Sequence, residues 1–404
     1  MQTTIVSINN LQDAKNWIAK TGADLYALGI MAQKSIFKTV YVQGIDNRAA
    51  NILKQEMLSV GAEASINANI SRFKRGTSNV LLMGTIKHFE IIYLKLVKEP
   101  FGLKELAENI KSAISNAQLN SFELSLPNSK LKLSKTLVMG VLNVTPDSFS
   151  GQNSMLKVDD AVAFGIKLAK DGADIIDIGG ESSRPGAKPV SLKEELSRVI
   201  TVIEKLAKKV KVPISIDTYK PEVASAALSA GASIINDITA LRHKKGAMTK
   251  VALAKGAPVV LMHMQGTPAT MQKQTKYSDV IIDICAFFKE RIVFCQENGI
   301  SKNKIILDPG FGFGKTIAQN IEILSSLNIF NSFGLPVLAG TSNKSFIGAI
   351  TGVKEPQKRI VGSIASFVIA VINGAKIIRA HNVLEAKEAI KLVDAVRCVE
   401  NKEI

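Results

Sequence analysis

IILDPGFGFGKT, residues Ile305 to Thr316, is an apolar run that ends in an acid and breaks at once into a glycine-rich turn. Ile305-Ile306-Leu307 reads as a fully buried strand, and Asp308-Pro309-Gly310 stops it with a carboxylate at the mouth of a loop. Working outward, the same order of apolar strand, polar residue and helix recurs seven more times. The strands predicted are Thr136 to Val144, Asp174 to Gly179, Pro213 to Asp217, Ser233 to Asp237, Pro258 to His263, Lys304 to Asp308, Pro336 to Ser342 and Lys376 to His381. Helical spacing falls between them, as at Leu192 to Lys209, Pro221 to Ala230, Asp279 to Asn298, Ile317 to Leu327 and Val361 to Asn373, with Leu384 to Val399 closing the chain. Eight such units predict an α/β fold, a closed parallel (β/α)8 or TIM barrel. Gly-Ala pairs at 172, 231, 256 and 374 stand just before four of the strands, where a left-handed glycine suits a tight helix-to-strand turn.

At 404 residues the chain exceeds the roughly 250 residues of a barrel, so two domains are expected, 1–130 and 131–404. The first reads as a small α/β unit. Its helices are Asp13 to Lys20, Asn47 to Gly61, Phe89 to Lys98 and Leu103 to Gln118, and its strands are Thr39 to Val42 and Val80 to Met83. His88 stands alone there and reads as a surface or capped histidine. Gln118 to Lys135, polar and holding Pro127, reads as a linker.

A hydrophobic fraction of 46% with 21% charged residues is that of an ordinary globular protein. No apolar run reaches the about 18 residues that span a bilayer, and the N-terminus lacks a basic start followed by an apolar block. Cytoplasm, with no membrane partner, is the expectation. The three cysteines form no CxxC and indicate neither a disulfide framework nor a zinc site. The net charge of +16 is scattered among acids rather than gathered in a stripe, and the densest basic cluster, Arg72-Phe73-Lys74-Arg75, reads as a solvated loop rather than a nucleic-acid patch. A positive field of this kind favours an anionic substrate.

The strand ends carry Asn143, Asp177, Asp217, Asn236 with Asp237, His263, Asp308, Ser342 with Lys344, and Arg379 with His381. In a barrel these converge on one pocket, although any single Asp or Asn can instead cap the helix that follows. Asp217, Asn236, Asp308 and Lys344 offer acceptors, an amide and a cation, which suit a flat heterocycle with an amidine-like edge. Arg379, His381, Asn143, Ser183 and Arg184 suit phosphate groups or a magnesium-bound diphosphate. A planar base beside an anion is the ligand implied. Gly314-Lys315-Thr316 looks like the end of a P-loop, but Pro309 stands where that motif needs its first glycine. The glycines read instead as letting backbone approach the ligand.

Seven stretches, in order, resemble the dihydropteroate synthases: MGVLNVTPDSFS (139–150), DGADIIDIGGESSRPGA (171–187), PISIDTYKPEVA (213–224), GASIINDI (231–238), LMHMQGTP (261–268), ILDPGFGFGKT (306–316) and the weaker AGTSNKSFIG (339–348). The resemblance implies condensation of 6-hydroxymethyl-7,8-dihydropterin diphosphate with 4-aminobenzoate, releasing diphosphate with Mg2+, by a homodimer. It implies pterin recognition by Asp217, Asn236, Asp308 and Lys344, a metal-linked Asn143, and diphosphate contacts from Ser183, Arg379 and His381. Arg184, Pro185 and Ser342 would border the aminobenzoate pocket, and Asp217, Asp308, Lys344 and Arg379 would carry the chemistry. The stretch from Val144 to Met155, with Ser148, Ser150, Gly151 and Ser154, is expected to close as a lid.

The chain departs from the family pattern in places. Ser183 stands for Thr, Asn343 for the Arg of SRKS, Asn382 for the Asp of RxHD, and GQNS follows Ser150. Asn343 keeps a different arylamine acceptor open. A methyltransferase on a related barrel, a Schiff-base aldolase using Lys344 and a non-catalytic pterin-binding regulator are the other readings.

Overall fold

The computed structural model describes residues 1–71, 74–145, 154–183 and 186–400. The chain forms two compact units, one of Met1–Leu119 with the chain from Ala395 onward, the other Asn120–Asp394.

In the first unit a three-stranded antiparallel sheet has Thr77–Thr85 at its centre, between Phe37–Asp46 and Glu63–Ile66. Its core gathers Leu53, Met57, Leu82, Ile92 and Leu96. His88 completes a capping box, its backbone N–H donating to the Thr85 hydroxyl and its ring accepting from the Thr85 N–H. The helix Leu25–Ser35 and the strand Glu63–Ile66 had no clear signal in the sequence.

The second unit is the barrel. Its strands are β1 (Leu137–Asn143), β2 (Ile175–Gly179), β3 (Ile214–Asp217), β4 (Ile234–Asp237), β5 (Val259–Met262), β6 (Ile305–Asp308), β7 (Leu338–Ala339) and β8 (Ile377–Ala380). All pair in parallel in the order β6-β5-β4-β3-β2-β1-β8-β7, and a bridge from Leu307 to Val337 closes the ring. Strand β7 is shorter than its sequence suggests. Thr341 and Ser342 leave the ladder there, Thr341 pairing its hydroxyl with Ser366 at 2.7 Å.

Alternation along each strand sorts side chains between two cores. Ile305 and Leu307 of β6 pack outward in the layer shared with the helices, as do Ile176 and Ile178 of β2. Met139, Ile175, Ile234, Val260, Ile306, Leu338 and Ile377 fill the lumen. Leu124, Leu126 and Leu133 join that inner cluster. They come from the segment read as a linker, which forms a hairpin of Glu123–Ser125 and Lys130–Lys132. Asn303, ahead of β6, donates to Ser125 Oγ (2.9 Å), and Lys376, ahead of β8, to the Asn120 carbonyl (2.7 Å). The hairpin therefore plugs the end of the barrel where strands begin. Apolar leucines at alternate positions were the signal for it.

The glycines of the four Gly-Ala pairs all take positive φ, from 63° to 119°. They make the tight turns at the stability face of the barrel.

Candidate active site

Residues two positions past the inner apolar layer face the lumen at its open end. Asp177 follows Ile175, Asp217 follows Ser215, Asn236 follows Ile234, Asp308 follows Ile306 and Arg379 follows Ile377. Arg379 Nε donates to Asp177 Oδ2 at 2.7 Å and Nη2 to Asp217 Oδ2 at 2.8 Å. Asn236 Nδ2 donates to the same Asp177 oxygen at 3.0 Å. Four strands are thereby tied across the barrel. The sequence had put Asp217 and Asn236 in a heterocycle set and Arg379 in an anion set, but the folded chain joins them with Asp177 in one network.

Asp177 was legible at a strand end yet was given no role. It is fully buried, and among the described residues its Oδ1 has no hydrogen-bond partner. The signal was parity: in Ile175-Ile176-Asp177-Ile178-Gly179 the acid shares the face of Ile175.

The charges of the site shape one another. Desolvation pushes the Asp217 carboxyl up to about 7, with Arg379 opposing and Asp177 adding to the rise. Burial also raises Asp308, against the pull of the Gly310 N–H and the Lys344 and Arg379 cations. For Arg379 desolvation works against the charge, but Asp177 and Asp217 outweigh it and raise its pKa above the ordinary arginine value. Lys344, at the start of the helix Ser345–Thr351, lays Nζ 4.2 Å from the centre of the Phe313 ring.

Two strand-end residues turn away from the lumen. Asp237 accepts from the Thr239 N–H and hydroxyl (both 2.7 Å) and the Leu241 N–H (2.9 Å), pinning a turn in which Ala240 and Leu241 hold positive φ. His263 packs edge-on to Phe287 at 4.9 Å, and burial, with Lys315 and Arg242 nearby, lowers its pKa to about 2. Each has the parity that faces the helices.

The glycine-rich turn is held from within. Lys315 Nζ is buried and donates to the carbonyls of Gly310 (3.0 Å), Phe313 (3.0 Å) and His263 (3.3 Å), with His263 Nδ1 at 3.1 Å. This lysine is a loop fastener. Gly310 has φ 70°, and a Cβ there would lie 2.1 Å from the His263 carbonyl oxygen. The approach that requires this glycine is between backbone and backbone. Its N–H donates to Asp308 Oδ1 at 2.7 Å and so fixes that carboxylate.

The remaining candidates sit around the mouth. Asn143 ends β1 half-buried, and Ser183 is half-buried after β2. Ser342 Oγ lies 2.9 Å from His381 Nδ1 and accepts the His381 N–H at 3.2 Å, joining the exits of β7 and β8. Asn343 has φ 58°, a conformation asparagine tolerates better than arginine does. Its N–H donates to Ser363 Oγ (3.0 Å) and its carbonyl accepts from Arg359 (2.9 Å). Arg184, Pro185 and residues 146–153 of the expected lid lie outside the described residues, as do Arg72 and Phe73 of the basic cluster.

Residues 139–381 match the family described as pterin binding enzyme. The dihydropteroate synthase of Escherichia coli is 48% identical over 281 residues, which are 69% of this chain and 99% of that protein. The chain belongs to the dihydropteroate synthase family. A crystal structure of the Xanthomonas albilineans dihydropteroate synthase with 4-aminobenzoic acid superposes with a TM-score of 0.65 at 44% identity, covering 69% of this chain and 98% of that one. A probable bifunctional folylpolyglutamate synthase/dihydropteroate synthase of Halobacterium salinarum is 35% identical over 390 residues, 96% of this chain but 46% of that protein. Dihydropteroate synthases of the E. coli length match mainly the barrel, whereas the similarity to the Halobacterium protein runs through the N-terminal unit as well.

Proposed function

We propose that the chain condenses 6-hydroxymethyl-7,8-dihydropterin diphosphate with 4-aminobenzoate to 7,8-dihydropteroate and diphosphate, a step of folate biosynthesis. The observation that carries the reading is the lumen network of Asp177, Asp217, Asn236 and Arg379 beside Asp308, in a chain 48% identical to a dihydropteroate synthase.

With Asn236 Nδ2 given to Asp177, its amide oxygen is presented to a ring N–H, and Asp217 and Asp308 accept from the rest of the pterin edge. As the C–O bond to diphosphate breaks, one positive charge spreads into the ring while the electron pair leaves with the diphosphate, which gains one negative charge. Carboxylates fixed by the Gly310 N–H and by Arg379 stabilise the first, and cationic Arg379 with His381 the second. The arylamine is already nucleophilic, so Ser342, Arg184 and Pro185 need only hold it near the methylene carbon.

Mg2+ takes one or two protein oxygens and completes its shell with water and substrate phosphate. The described residues contain no cluster of three His, Cys, Asp or Glu side chains suited to a metal, and a single amide donor, Asn143 at the mouth, fits an ion delivered with the diphosphate. When bound, Mg2+ would neutralise charge on the leaving group.

We place the enzyme in the cytoplasm as a homodimer. Exposed Val361, Ile369 and Ile372 on the helix Ile360–Ile372 support pairing through that face, and no helix among the described residues is long and apolar enough to cross a membrane. Purified protein given dihydropterin diphosphate and Mg2+ should release pyrophosphate with matched dihydropteroate only when 4-aminobenzoate is present. Pterin diphosphate binding without product would move the reading to another arylamine, which Asn343 keeps open, or to a regulator. No binding at all would overturn it.

A further inference from the structure

The segment between β2 and the helix Leu192–Ala207 carries Ser183 and comes back to the barrel at Val190. Both of its ends meet one cation. Lys220, three residues past Asp217, sends Nζ to Glu181 Oε2 (2.5 Å), to Glu195 Oε2 (2.5 Å) and to the Val190 carbonyl (2.8 Å). Glu181 lies at the exit of β2, Val190 at the return of the segment and Glu195 in the first turn of the helix. Glu181 also accepts from the Tyr219 hydroxyl (3.1 Å) and the Val190 N–H (3.2 Å), while Glu195 accepts from the Thr218 hydroxyl (2.7 Å). Arg198 donates to the Gly180 carbonyl at 2.6 Å.

This cluster is costly to build. The Lys220 and Glu181 side chains are 12% exposed and Glu195 1%. Desolvating two carboxylates around one ammonium largely offsets their attraction, so apolar packing would serve stability as well. What apolar packing cannot do is hold three chain segments at one point with directional bonds. We propose that Lys220 is a positioning residue, locking both ends of the Ser183 segment to the loop that follows Asp217 so that the diphosphate side of the site keeps register with the pterin side. The assignment rests on the reaction proposed above and deepens it.

The test compares Lys220→Met, Lys220→Arg and Glu181→Gln in the full chain. In Lys220→Met the KM for dihydropterin diphosphate should rise about tenfold or more, as for a misplaced loop, while affinity for the bare dihydropterin, which lacks the diphosphate, stays within about twofold. Lys220→Arg should recover most of the loss. Amide exchange at residues 181–183 and 186–190 should quicken about tenfold with β3 still protected. Unchanged exchange at 181–183 and 186–190, unchanged KM for dihydropterin diphosphate, or equal loss of protection through β2, β3 and the helix would overturn the assignment. Should Lys220→Met fail to fold, Glu181→Gln, which keeps the shape and removes one charge, is held to the same outcomes. If the wild-type protein makes no dihydropteroate, the reaction is wrong, and the exchange experiment still decides whether Lys220 holds the segment.

Discussion

Arg379 Nη2 lies 2.8 Å from Asp217 Oδ2, a bond that crosses the lumen between β8 and β3, strands that are not neighbours in the sheet. Through it a residue suited to phosphate and a residue suited to a ring N–H become partners. Protonation and binding at the site are therefore coupled.

Asp217 has its carboxyl pushed up to about 7, mainly by desolvation. In the free enzyme it is neutral below that pH and a full acceptor above it, so kcat/KM for the pterin substrate should rise with pH through a midpoint near 7. Asp217→Asn should remove that limb of the profile and weaken pterin binding by about a hundredfold, since each buried charged hydrogen bond lost costs about 2–3 kcal/mol. Initial rates across pH 6 to 8 measure the first, and calorimetric titration with the pterin diphosphate measures the second.

Arg379→Met leaves Asp177 and Asp217 facing each other without their cation. Breaking a buried pair by removing one partner costs about 3–5 kcal/mol, which should appear as a marked drop in the urea midpoint. Adding Asp177→Asn to that variant should restore part of the stability and none of the activity.

Lys315 has its pKa lowered to about 7 by burial. Because the folded value lies below the unfolded one, its contribution to stability is complete above about 10.5 and is lost as pH falls towards 7. Lys315→Met should flatten stability between those values. It should also cost about 1–3 kcal/mol for carbonyls left unsatisfied, read from denaturant curves at pH 7 and 9.5.

Gly310→Ala would place a methyl carbon 2.1 Å from the His263 carbonyl oxygen, in a left-handed conformation. The turn must then shift and carry the Gly310 N–H away from Asp308. Loss of pterin binding, with destabilisation above about 2 kcal/mol, is expected. Near-wild-type binding would show that Asp308 does not depend on this turn.

What the sequence determined by itself was the barrel and its polar rim. Continuous apolar runs such as Ile305-Ile306-Leu307 ahead of Asp308, and helical spacing between them, are local properties, and a strand ending in a polar residue announces itself without knowledge of its neighbours. The hairpin under the barrel was masked by its short strands and polar turn. Which rim residues face inward is also a matter of parity, and it separates Asn236 from Asp237. The tertiary structure alone decided who pairs with whom: Arg379 with Asp177 and Asp217, Lys315 with three carbonyls, Lys220 with both ends of one segment. Those partners come from strands and loops as far apart in sequence as 177 and 379, and closing a cylinder brings them within a hydrogen bond. No local pattern encodes that distance.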